Sequence, residues 1–124
     1  MLVLDAGALL AIERASRDVI ALIKRERLAG RTPITHAGII GQAWRGGGRQ
    51  ANLARLLPGL DVVALDAALG RRAGALLARS RTTDVIDAAL ALLAQDGDEI
   101  LTSDADDLRV LVAASGVHAD VVDV

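Results

Sequence analysis

Short apolar runs alternate with amphipathic stretches along the whole chain. Five of these runs predict buried strands, at residues 2–4, 32–35, 61–65, 99–103 and 121–124. Between the runs, apolar side chains recur every three or four residues, as they do on one face of a helix. The stretch after residue 66 is typical, because Leu69, Ala73, Leu76 and Leu77 share one such face. The pattern therefore predicts strands that alternate with helices.

This alternation favours a three-layer α/β/α fold built on a parallel sheet, because strands that are apolar on both sides need helices on both sides. No linker and no internal repeat divides the 124 residues, so we expect a single domain over residues 1–124. In folds of this class, ligands bind beyond the carboxyl ends of the strands, where the strand order reverses. The polar residues that directly follow the strands are therefore the first candidates for a site.

Composition narrows the classes of protein that the chain can belong to. Hydrophobic residues make up 52% and charged residues 24%, which excludes a disordered chain. The longest uncharged run, residues 32–44, is too short to span a bilayer, and no secretory signal is recognisable, so we expect a cytoplasmic protein. The chain has no cysteine and two histidines, which excludes cysteine-ligated and histidine-rich metal sites. We expect both histidines, His36 and His118, to serve packing or surface roles.

The net charge of −2 conceals an uneven distribution. Residues 1–81 hold thirteen basic and six acidic side chains, whereas residues 82–124 hold one basic and ten acidic ones. Such asymmetry favours a charged partner, although folding can also interleave the two parts of the chain.

Four aspartates lie where strands meet helices. Asp5 follows the first strand, Asp104 follows the fourth, and Asp84 and Asp87 lie at the start of one helix. Helix capping explains each of them singly, and for Asp104 alone we expect capping. Strand ends and helix starts meet at one edge of such a sheet, however, and carboxylates that converge there repel one another. A hard divalent cation, Mg²⁺ or Mn²⁺, relieves this repulsion, so the four together predict a metal site.

Three segments of the chain resemble the motifs of PIN-domain ribonucleases, in particular the toxins of bacterial VapBC-type toxin–antitoxin pairs. They are residues 2–9, LVLDAGAL, residues 84–89, DVIDAA, and residues 101–108, LTSDADDL. Their order and spacing fit the family over essentially the whole chain. The resemblance implies a five-stranded parallel sheet in the order 3-2-1-4-5 and Mg²⁺-dependent cleavage of RNA. It also implies two protein partners: a cognate antitoxin that blocks the acidic cleft with an Arg or Lys, and a second copy of the chain in a homodimer.

The resemblance also assigns roles to individual residues. Asp5, Asp87 and Asp104 match the metal-binding, catalytic acids of the family. Thr102 matches the hydroxyl residue that commonly lies just upstream of the last acid.

The chain departs from the family pattern at one position. The second acid, usually Glu, falls at Gln42, whose amide can coordinate or hydrogen-bond but has no charge. Three interpretations stay open. The site works with fewer charges and Gln42 positions a water or phosphate oxygen; or Glu13 or Asp84 supplies the missing carboxylate; or the protein is a catalytically weakened PIN-fold binding module.

Other candidates concern RNA and competing functions. Arg45 and Arg49 flank a glycine run and are candidates for contacts with an RNA backbone. Trp44, the only aromatic residue, is expected in the core or in a dimer contact rather than stacked on a base. A phosphorelay receiver shares this type of sheet, but it needs a lysine after the final strands, and Lys24 is the only lysine.

Overall fold

Five strands alternate with seven helices in the computed structural model, which describes residues 1–124. The strands are β1 (Leu2–Leu4), β2 (Ile34–His36), β3 (Asp61–Val63), β4 (Glu99–Thr102) and β5 (Asp120–Asp123). The helices are α1 (Ala6–Glu13), α2 (Arg17–Leu28), α3 (Ala37–Ala43), α4 (Ala51–Leu56), α5 (Ala67–Ser80), α6 (Val85–Ala91) and α7 (Ala105–Ser115). The predicted alternation of strands and helices is confirmed.

All five strands are parallel and lie in the order β3-β2-β1-β4-β5, which confirms the predicted fold class. The central strand β1 is completely buried, as its continuous run of aliphatic residues predicts. It pairs with β4 in a register that places Val3 beside Ile100. The chain extends first from β1 to β2 and β3, and later from β4 to β5 on the other side. The switch point of the strand order therefore lies at the carboxyl ends of β1 and β4.

The helices cover the sheet in two groups, as right-handed parallel connections require. α1 contacts α2, α3 and α4, whereas α5, α6 and α7 contact one another. A single cluster of buried apolar residues joins both groups to the sheet. The longest helix, α5, has 14 residues, and no helix of the structure combines the length and the apolar character that crossing a membrane requires.

Several element boundaries differ from the sequence prediction by one or two residues. β2 begins after Pro33, whose nitrogen cannot donate to the ladder, and extends to His36. β3 ends at Val63 rather than at residue 65, and the chain then runs to Asp66, the N-cap of α5. A 3₁₀ turn, Gly48–Gln50, continues into α4.

Gly7 brings the start of α1 into close contact with the end of β4. A Cβ atom at this position would lie 2.5 Å from the Oγ atom and 2.8 Å from the backbone nitrogen of Ser103. Only glycine leaves room for this approach. The first turn of α1 and the segment between β4 and α7 are therefore held side by side at the switch point.

Candidate metal centre

Asp5 lies at the end of the central strand and is only 4% exposed. One carboxylate oxygen, Oδ1, accepts a 2.7 Å hydrogen bond from the backbone N–H of Ala6 at the start of α1. The other, Oδ2, accepts a 2.6 Å hydrogen bond from the hydroxyl of Thr102 on β4. The carboxylate is thus fixed from both sides, and each of its oxygens retains acceptor capacity for a ligand.

Thr102 connects the ends of β1 and β4. Its Oγ1 donates to Asp5 and also accepts a 2.9 Å hydrogen bond from the backbone N–H of Asp104. The hydroxyl is fully buried, donates one hydrogen bond and accepts one. Its role is therefore to orient the acid after β1 relative to the segment that enters α7.

Asp84 and Asp87 have different environments at the start of α6. Asp84 is the N-cap, and its Oδ1 accepts hydrogen bonds from the backbone N–H groups of Ile86 at 3.0 Å and Asp87 at 3.1 Å. Asp87 is only 5% exposed, yet no protein group donates a hydrogen bond to its carboxylate. Because no fully buried side-chain oxygen lacks a partner, the Asp87 oxygens keep contact with solvent.

Asp104 occupies the N-cap position of α7, but its side chain makes no capping hydrogen bond. The expected capping role of Asp104 is therefore wrong. The physical reason is its backbone conformation, φ −117° and ψ 53°, which lies outside the extended region from which N-cap side chains reach the helix N–H groups. The carboxylate of Asp104 is consequently free of the helix and exposed.

The structure brings Asp104 together with Asp87 and with Asp107. One carboxylate oxygen from each of these three residues lies within 4.8 Å of the others, and we refer to them as the acidic triad. Asp107 was missed at the level of sequence. The available signal was its spacing, because residues three apart at a helix start share one face of the helix.

None of the acids at this edge of the sheet forms an ion pair, although Arg81 lines the hollow that contains Asp84, Asp87 and Asp107. Each of the four ion pairs in the structure uses an acid outside this group. Burial first, and then the charges of four neighbouring carboxylates, raise the pKa of Asp87 to about 7. In decreasing order of effect, these neighbours are Asp5, Asp84, Asp104 and Asp107.

This donor set suits a hard divalent cation. Carboxylate oxygens are the protein ligands that Mg²⁺ and Mn²⁺ prefer, and a cation removes the repulsion that raises the pKa of Asp87. The acidic triad could therefore hold a metal ion. Asp5 and Asp84 are not members of the triad, but the Asp5 charge has the largest electrostatic effect on the pKa of Asp87, and Asp84 lines the same hollow as Asp87 and Asp107.

Glu13 does not reach these acids, so the expectation that it supplies a missing carboxylate is not supported. Asp5 precedes α1 and Glu13 is its last residue. At 1.5 Å per residue, the helix separates the two by about 12 Å, well beyond the length of a glutamate side chain.

Gln42 lies in a separate hollow, which it shares with Glu13, Arg45 and Arg49. No member of the acidic triad lines this hollow. The guanidinium of Arg45 donates from Nη1 to the carbonyls of Gly41 at 2.9 Å and of Trp44 at 2.7 Å, and so closes the end of α3. The guanidinium of Arg49 forms no hydrogen bond or ion pair within the protein, and the residue is exposed.

The two histidines and the tryptophan differ in their burial. His36 is fully buried and His118 is exposed, so the two lie in the interior and at the surface, as expected of them. Trp44 is 38% exposed and is not part of the core, so the dimer contact stays as the prediction for this residue.

Comparisons with known proteins give no family for this chain. No family model matches it, and no curated protein matches it either. The functional interpretation therefore depends on the residues and contacts described above, and the PIN-domain resemblance stays a prediction.

Proposed function

We propose that the protein is an Mg²⁺-dependent endoribonuclease that acts as the toxin of a VapBC-type toxin–antitoxin pair. The observation that supports this proposal most strongly is the acidic triad, together with Asp5, at the switch point of a parallel α/β sheet. Enzymes of this fold class use that edge of the sheet for ligands. Carboxylates at that place that form no ion pair are suited to a metal ion and, through it, to a phosphate substrate.

The residues divide into those that would hold the ion and those that orient them. Asp5, Asp87 and Asp104 are the proposed catalytic ligands, and Asp107 joins them because of its place in the acidic triad. Bound Mg²⁺ supplies an activated water and neutralises charge on a phosphoryl oxygen. Thr102 orients Asp5 through its hydroxyl.

RNA is the proposed substrate, and the basic side chains near Gln42 are its proposed contacts. Arg45 and Arg49 line the hollow that contains Gln42, where a phosphate backbone would meet positive charge and an amide. Phosphate contacts of this kind position a nucleic acid without reading its sequence.

Two protein partners complete the proposal. A cognate antitoxin would place an Arg or Lys among the carboxylates of the triad, none of which forms an ion pair within the chain. A second copy of the chain would cover exposed apolar side chains in a homodimer. The exposed apolar side chains on helices or directly beyond them are Leu28, Trp44, Val85 and Val110.

The proposal is tested by cleavage of a mixed RNA pool with protein purified free of any partner. We expect Mg²⁺-dependent cleavage by the natural chain, and a rate at least about 100-fold lower for Asp5→Asn and for Asp107→Asn. Asp106→Asn is the matched control, because Asp106 adjoins Asp107 in sequence but pairs with Arg109 instead of joining the triad. Unchanged cleavage by Asp5→Asn would refute the assignment.

A second candidate function, a catalytically weakened PIN-fold binding module, is favoured by the uncharged Gln42 and by the distance of Glu13 from Asp5. The same assay separates the two functions. A natural chain that binds Mn²⁺ and RNA but cleaves no RNA at any tested Mg²⁺ concentration is the binding module.

A further inference from the structure

His36, at the end of β2, is completely buried and has both ring nitrogens in use. Its Nδ1 accepts a 3.1 Å hydrogen bond from the backbone N–H of Gly38 at the start of α3. Because Nδ1 is an acceptor, the ring proton lies on Nε2, which donates to the carbonyl oxygen of Ile86 at 2.9 Å. The imidazole therefore links β2 and α3 to the first turn of α6.

The carbonyl that His36 binds belongs to the peptide group between Ile86 and Asp87. The N–H at the other edge of the same peptide group donates to Oδ1 of Asp84 at 3.1 Å. His36 and Asp84 therefore hold one peptide from its two sides. The next atom along the chain is the Cα of Asp87, so this arrangement fixes where the side chain of Asp87 begins.

Asp87 depends on its backbone for its position. Its carboxylate receives no hydrogen bond from the protein, and other carboxylates surround it. Repulsion among these charges favours movement of the first turn of α6 away from its neighbours. A hydrogen bond to the peptide of Asp87 opposes that movement.

Packing around His36 leaves little freedom for an alternative arrangement. A Cβ atom at Gly38 would lie 2.7 Å from Cδ1 of Ile86 and 2.9 Å from Cε1 of His36. The start of α3, the imidazole and the start of α6 are therefore in tight contact, and displacement of one displaces the others.

We propose that His36 is a positioning residue for the acidic triad, and that its Nε2–H bond to Ile86 holds the Asp87 carboxylate beside those of Asp104 and Asp107. The expected effect on metal binding rests on the proposed function, whereas the position of the Asp87 backbone can be measured in the metal-free chain.

Two substitutions separate the two hydrogen bonds of His36. His36→Gln retains an N–H donor at the distance of Nε2 and loses the acceptor at Nδ1. His36→Asn retains a side-chain acceptor at the position of Nδ1, where asparagine is a good N-cap, and loses the donor to Ile86. Mn²⁺ affinity is measured by calorimetry for the natural chain and both variants, and urea unfolding gives their stabilities.

We expect His36→Asn to weaken Mn²⁺ binding by about 10-fold or more, as loss of a residue that orients a ligand does, and His36→Gln to stay within about threefold of the natural chain. If the role of His36 were purely structural, the Mn²⁺ affinity of each variant would instead fall in proportion to its loss of stability. The inference is overturned if His36→Asn binds Mn²⁺ as the natural chain does. If His36→Asn does not fold, His36→Gln decides alone, and a tenfold loss in the folded Gln variant also overturns the inference.

Amide hydrogen exchange without metal separates failure of this inference from failure of the proposed function. We expect the N–H of Asp87 to exchange about 10-fold faster in His36→Asn than in His36→Gln. If the natural chain binds no Mn²⁺, the proposed function fails, and this exchange rate still decides the positioning role. Equal exchange in the two variants contradicts it.

Discussion

The hydroxyl of Thr102 donates a 2.6 Å hydrogen bond to the carboxylate of Asp5 and so joins residues that are 97 positions apart in the sequence. The same oxygen accepts from the backbone N–H of Asp104. Two acids from opposite ends of the chain are therefore oriented through a single side chain, at the point where β1 and β4 end side by side. Through this contact, the Asp5 carboxylate and the start of α7 have fixed positions relative to each other.

Removal of this hydroxyl is the first test of that view. Thr102→Val keeps the shape of the side chain but leaves Oδ2 of Asp5 and the N–H of Asp104 without their partner. We expect a loss of about 1–3 kcal/mol in the free energy of unfolding, measured with urea, and weaker Mn²⁺ binding. Thr102→Ser retains the hydroxyl and is the control. A Val variant as stable as the Ser variant contradicts the prediction.

Gly7 provides a test of the close approach between α1 and β4. Gly7→Ala places a methyl group against Ser103, so we expect a loss of about 1–3 kcal/mol in the free energy of unfolding. Gly74→Ala in α5 is the matched control, because a Cβ atom there meets nothing within 4 Å. The control should gain about 0.5–1 kcal/mol from the higher helix propensity of alanine. Equal effects of the two substitutions would show that the contact is loose.

The pKa of Asp87 predicts a specific dependence of stability on pH. Because the folded-state pKa is raised from 3.8 to about 7, the folded chain binds more protons than the unfolded chain between these values. The contribution of this group to stability therefore falls as the pH rises from about 4 to about 7. Asp87→Asn removes this loss, so we expect the metal-free variant to exceed the natural chain by roughly 2 kcal/mol at pH 8, after allowance for solvent screening, and by little at pH 4.

Asp87→Asn should also reduce the stabilisation that a bound metal ion provides. At pH 8, saturating Mg²⁺ should raise the unfolding temperature of the natural chain, because the ion binds the folded state, and should do so much less for Asp87→Asn. Asp106→Asn, in the exposed ion pair with Arg109, should behave as the natural chain does. A stability difference between Asp87→Asn and the natural chain that does not change with pH contradicts the raised pKa.

Substitution of Gln42 tests whether the residues that contact RNA are different from those that bind the metal ion. Its amide lies in the hollow with Arg45 and Arg49, and no acid of the triad lines that hollow. We therefore expect Gln42→Ala to lower kcat/KM for RNA cleavage by about 10-fold through a lost hydrogen bond, with Mn²⁺ affinity unchanged. A parallel loss of Mn²⁺ affinity would place Gln42 among the metal ligands instead.

Much of the fold could be predicted because its signals are local or topological. The aliphatic run before Asp5 identifies a central strand, and alternation with amphipathic helices identifies a parallel sheet. The convergence of Asp5 with Asp87 followed from that topology, since strand ends and helix starts share one edge. The start of β2 was less predictable, because the Pro33 nitrogen cannot donate to the ladder and the strand begins at Ile34 rather than at residue 32.

The side-chain roles at the site could be predicted less well, because they depend on backbone angles and distances that the residue pattern does not define. Asp104 is of a residue type that is common at N-caps, but with its ψ of 53° the side chain makes no hydrogen bond to the helix N–H groups. Asp107 is difficult to assign from the sequence, because acids in the first turn of a helix, such as Asp106 and Asp107, also suit the helix dipole. Glu13 is near Asp5 in sequence, but the helix α1 between them keeps the two apart.

A crystal soaked with Mn²⁺ and measured for anomalous scattering tests the central claim most directly. The proposed site predicts an anomalous peak at about 2.1 Å from carboxylate oxygens of the acidic triad, Asp87, Asp104 and Asp107, with Asp5 as a further ligand, and the absence of this peak in crystals of Asp87→Asn. Well-ordered carboxylates with no peak between them, or Mn²⁺ bound only elsewhere on the protein, would contradict a metal centre at this edge of the sheet.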